Sequence, residues 1–139
     1  MHRILSRIRL AGLGLFALLA TAPIAGAETV QLKADLKGSN AAAKGDAAVT
    51  YDTTNKQVTW RINYSGLSGP PTAAHFHGPA APGANAGVAV PIPNPATSPV
   101  QGSATLTDAQ AADLLAGRYY INIHTAATPG GEIRGQVAR

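Results

Sequence analysis

Along residues 30–36, Val30, Leu32, Ala34 and Leu36 alternate with Gln31, Lys33 and Asp35. That is the period-two signature of a half-buried strand. The same alternation is clearest at Val58, Trp60, Ile62 and Tyr64, set against Thr59, Arg61 and Asn63. A further strand is expected at Ala47–Tyr51, and Asp52-Thr53-Thr54-Asn55-Lys56 supplies turn chemistry for a hairpin between it and the Val58 strand. Gly38–Gly45 reads as a loop. Short strands are also expected at Ala73–His77, Val100–Leu106, Arg118–Thr125 and Glu132–Ala138, with a brief edge strand at Val88–Ile92. Thr107-Asp108-Ala109-Gln110 has the form of a capping box, good helix formers follow to Ala116, and Gly117 stands where a helix would end. One short helix is therefore predicted. The long segment 78–99 contains six prolines, which no central strand tolerates, and reads as a Pro/Gly-rich loop. Many short strands and one brief helix predict an all-β, antiparallel sandwich or barrel.

The first 27 residues stand apart. Arg3, Arg7 and Arg9 precede an uncharged stretch from Leu10, and Ala25-Gly26-Ala27 closes it. A basic start, a short apolar run and a small-x-small site read as a secretory signal peptide spanning 1–27, leaving 28–139 as one domain. An uncleaved leader would be the one route to a membrane. Export places the domain in the periplasm or outside the cell. Without the leader the chain keeps eight basic and seven acidic residues, a net charge of +1. No basic stripe remains for nucleic acid. There is no cysteine, so disulfides, thiolate metal sites and a Cys nucleophile are excluded.

Chemistry concentrates in three runs: His75-Phe76-His77-Gly78-Pro79, Ile121-Asn122-Ile123-His124-Thr125 and Pro129-Gly130-Gly131-Glu132-Ile133-Arg134. Alternation places His75 and His77 on one face with Phe76 behind them, and His124 on the face of Asn122 and Tyr120. The same spacing predicts that Glu132 and Arg134 share a face. Tyr119 falls with Ile121 and Ile123, which leaves Tyr120 as the surface ring.

These runs also carry a family resemblance. Ala74–Gly83, Leu106-Thr107, Leu114–Gly117, Tyr119–Thr125 and Pro129–Val137 resemble the CHRD domain, a module first recognised in chordin and widespread in bacterial secreted proteins. The resemblance implies an immunoglobulin-like β-sandwich, with a likeness to copper/zinc superoxide dismutases in the strand-borne His-x-His. It implies no defined biochemical role.

Three uses of the polar set stay open. The first is a metal site on His75, His77, His124 and Glu132, since histidines at i and i+2 on a strand lie about 6–7 Å apart and imidazole suits zinc or copper. The second is a structural network of His75, His77, His124, Glu132 and Arg134, in which Glu132 and Arg134 form charge-assisted hydrogen bonds with each other or across strands and the histidines donate to carbonyls of the Pro-rich segment. The third is a binding loop, with Gly78, Pro79, Pro82 and Asn85 presented to an extracytoplasmic protein or glycan. No nucleophile elbow, phosphate loop or paired-carboxylate arrangement is present, so a non-enzymatic module is expected. The sequence leaves the oligomeric state open.

Overall fold

A computed structural model describes Ala22 and residues 26–139. The leader expected over residues 1–27 lies almost wholly outside the described residues.

The alternating segments form the strands predicted for them. β1 spans Thr29–Lys37, with its even-numbered side chains buried and its odd-numbered ones exposed. β2 (Lys44–Asp52) and β3 (Gln57–Ser65) make a hairpin. Asp52 Oδ1 organises its turn by accepting from the backbone N–H of Thr54 at 2.8 Å and of Asn55 at 3.3 Å. β2 begins at Lys44, inside the segment expected to be loop. β4 (Pro71–His77), β5 (Val88–Pro91) and β6 (Val100–Thr105) follow. Then come the helix α1 (Asp108–Leu115), β7 (Tyr120–Thr125) and β8 (Ile133–Gln136). The capping box is present. The Thr107 hydroxyl accepts from the Gln110 N–H, and the Gln110 side chain accepts from the Thr107 N–H. Gly117, at φ +72°, ends the helix.

All eight strands hydrogen-bond into one antiparallel sheet, in the order β5-β4-β7-β8-β1-β2-β3-β6. The fold is all-β with one short helix, as the alternation requires, but the strands join in a single sheet curled almost into a barrel. The curl is visible in the core. Trp60 on β3 and Phe76 on β4 are far apart in strand order, yet their rings meet edge to face at 5.4 Å. Gly102, opposite Trp60 on β6, leaves room for the indole, because a Cβ there would lie 2.6 Å from it. Leu36, Val49, Ile62, Phe76, Ile121, Ile123, Ile133 and Val137 fill the same interior, and α1 adds Leu114. Burying each such side chain contributes roughly 1.5–3 kcal/mol. A cysteine-free domain of this size depends on that core.

β7 lies between β4 and β8, and this arrangement places the candidate site. Pairing sets His75 opposite Asn122, Ala73 opposite His124 and His77 opposite Tyr120. On the other side of β7, Asn122 faces Arg134 and Tyr120 faces Gln136.

Candidate metal centre

The outer face of β4 and β7 gathers the three histidines. One ring nitrogen from each of His75, His77 and His124 lies within 4.8 Å of those of the other two. The ring centroids are 5.1–5.8 Å apart. The cause is local: Phe76 is 1% exposed and anchors β4 in the core, so its neighbours must point outward.

Hydrogen bonds orient each ring. His77 Nδ1 donates to the Ala86 carbonyl at 3.0 Å, and His124 Nδ1 donates to the Pro129 carbonyl at 2.8 Å. Those carbonyls fix the protons on Nδ1 and leave a lone pair on each Nε2. His75 Nδ1 sits 3.2 Å from His124 Nε2 and donates to it. His77 Nε2 is buried and has no partner among the described residues. Burial, with repulsion from His124 and His77, pushes the His75 imidazole below its usual range. Burial also lowers His77; the Ala86 carbonyl opposes this, and His124 and Arg134 reinforce it. Neutral imidazoles are the form that ligates a metal.

A family model for the CHRD domain, matching residues 20–137, accounts for the motifs that build this face. The chain belongs to the CHRD domain family. No curated protein and no solved structure matches it. In this CHRD domain the Pro-rich segment after β4 folds back over the site. Arg134 donates to Asn85 Oδ1 at 2.7 Å and to the Ala84 carbonyl at 2.8 Å. Gln136 donates to the Ala80 carbonyl at 3.0 Å. The segment expected as a binding loop is thus braced against β7 and β8. Gly78 ties its ends by donating to the Gly87 carbonyl, Asn85 is an internal anchor, and Pro79 and Pro82 lie along its course.

Two expectations are corrected. Tyr120 is 2% exposed, not a surface ring. His77 stacks on it nearly parallel at 5.0 Å from β4, and the Arg134 guanidinium lies 3.7 Å from its ring centre from β8. Its hydroxyl donates to the Ala86 carbonyl at 3.3 Å. Alternation identified the outward face correctly but carried no sign of the segment that covers it.

Glu132 is the second correction. It neither joins the histidines nor pairs with Arg134. Its carboxylate accepts from the Thr125 hydroxyl at 2.7 Å, the Ser68 hydroxyl at 2.7 Å, the Ser68 N–H at 2.9 Å and the Asn40 amide at 3.0 Å. Thr125 follows the inward phase of Ile121 and Ile123, so this network sits at the core side of β7. The physical reason is the turn. Gly131 has φ +115° and Glu132 is a bend, so two-residue alternation starts only at Ile133. Bonds from Thr125, Asn40 and Ser68 pull the Glu132 carboxyl down to about 2. Of its partners, only Thr125 carried a signal, as the polar end of an otherwise apolar inward row. Asn40 and Ser68 lie in loops without pattern.

Asn122 completes the face. It is 5% exposed, its amide donates to the Gly130 carbonyl at 3.0 Å, and its Oδ1 has no partner.

Proposed function

We propose that this CHRD domain is an exported, non-enzymatic module that holds one zinc or copper ion on His75, His77 and His124. The observation that carries the proposal is the buried, unpartnered His77 Nε2 beside two further imidazoles. A buried nitrogen lone pair without a donor is a cost that a metal ion removes. Ligand nitrogens around a tetrahedral ion at 2.0–2.1 Å lie about 3.3 Å apart. The His75–His124 pair is already at 3.2 Å, and the His77 nitrogen, within 4.8 Å of both, closes the remaining distance on binding. The ion would replace the proton shared by those two rings, and His75 would keep its proton on Nε2. The Ala86 and Pro129 carbonyls serve as outer partners that hold His77 and His124 in the ligating tautomer. The metal reading coexists with bracing of the Pro-rich segment, since the two uses occupy different nitrogens.

The test is elemental analysis and calorimetric titration of residues 28–139 prepared without a histidine tag. The expected result is one zinc or copper per chain, lost in His75→Ala/His77→Ala. Absence of binding after incubation with zinc and with copper in either oxidation state overturns the proposal.

A further inference from the structure

We infer that this site selects monovalent copper over divalent ions. The inference rests on the three-histidine reading and concerns the charge the site accepts.

No negative charge belongs to the cluster. Among the described residues its candidate ligands are three histidines and no carboxylate. The groups behind His77 and His124 are neutral carbonyls. Glu132, the acidic residue closest to the motif in sequence, is committed to Thr125, Ser68 and Asn40. A divalent ion would keep its full charge on three neutral rings.

A positive charge is instead fixed beside the site. The Arg134 guanidinium, the Tyr120 ring and the His77 ring form a stack, which puts the guanidinium within about 9 Å of the His77 ring. Among the described residues Arg134 bonds neutral oxygens alone, Asn85 Oδ1 and the Ala84 carbonyl. The described salt bridges are Lys56–Asp108 and Arg118–Asp113, so no carboxylate neutralises it. His77 is 9% exposed, which limits screening by water. The desolvation cost of an ion rises with the square of its charge, so burial and Arg134 both favour the lower charge.

Coordination number points the same way. Structural zinc takes four protein ligands, whereas the cluster supplies three. A divalent ion would need a water or an imported anion to complete its shell. Three nitrogens around a monovalent d10 ion need none.

The experiment compares affinities on the tag-free domain. Cu(I) is measured anaerobically by competition with bicinchoninate, and Cu(II) and Zn(II) by competition with chromophoric chelators. The expected result is tighter binding of Cu(I) than of Cu(II). Each tenfold preference raises the bound couple by about 59 mV over the free one. Removing one charge at about 9 Å in Arg134→Gln should reduce the Cu(I) preference about five- to twentyfold, for an effective dielectric of 20–40. Arg134→Lys should retain it. The comparison is made within each protein, so a general loss of stability cancels. The wild-type ratio decides even if Arg134→Gln fails to fold. Tighter Cu(II) or Zn(II) than Cu(I) in the wild type overturns this inference and leaves the histidine site standing. Failure to bind any of the three ions overturns both.

Discussion

Replacing Gly131 by alanine should destabilise the domain by two separable effects. The first is backbone strain. At φ +115° an L-residue occupies a sparsely populated region, at a cost of about 1–3 kcal/mol. The second is collision. A Cβ at Gly131 would lie 1.9 Å from Asn122 Oδ1 and 2.3 Å from its Nδ2, so the amide must swing away. That breaks its bond to the Gly130 carbonyl, which contributes about 1 kcal/mol. Together the loss is about 2–4 kcal/mol. For a domain of this size each kcal/mol lowers Tm by several degrees, so the change is readily measured. Asn122→Ala removes the three nearest atoms, Oδ1, Nδ2 and Cγ, and leaves the strain. In that background Gly131→Ala should cost about 1 kcal/mol less than in the wild type. Urea unfolding of the four proteins, fitted to two states, measures this cycle. A Gly131→Ala loss below 1 kcal/mol would refute the strain argument. Equal losses in both backgrounds would refute the collision.

Acid should weaken the fold in two windows. The lowered His75 and His77 values mean that the unfolded chain takes up protons first, so stability present above pH 6.5 declines as pH falls below it. Glu132, held at about 2 against an ordinary 4.5, contributes fully above 4.5 and loses its contribution as pH falls toward 2. In urea midpoints measured against pH, Glu132→Gln should flatten the lower window and leave the upper. Curves parallel to wild type through both windows would contradict the Glu132 network. Phe76→Ala should cost about 3–5 kcal/mol, because the ring is fully buried and meets Trp60 edge to face. Phe76→Leu should keep most of that, losing chiefly the aromatic pair, about 0.5–1.5 kcal/mol. An alanine variant within 1 kcal/mol of wild type, by urea unfolding, would show that the core does not hold the histidine strand.

Legibility followed the range of the interactions. β1, β3 and the capped helix are set by near neighbours, and their residues announce them. The outward set of His75, His77 and His124 was also readable, because each lies inside a regular strand whose phase its apolar neighbours fix. Glu132 was misplaced because one residue of irregular backbone shifts the phase, and Gly131 does not declare its φ. Tyr120 was misplaced because its cover comes from residues 84–86, a segment whose path depends on Arg134 and Gln136 from the far end of the chain. Closure of the strands into one curled sheet rests on pairings such as Lys37 with Arg134, which no local pattern encodes.

β8 is the keystone of the molecule. In the strand order it joins β5-β4-β7 to β1-β2-β3-β6, and among the described strands it comes last in the chain. The β1–β2–β3 meander can nucleate from nearby contacts, whereas the half that carries the imidazoles meets it in the sheet through β8. Loosening β8 should therefore free the imidazole-bearing strands from the meander while each half keeps its own pairings.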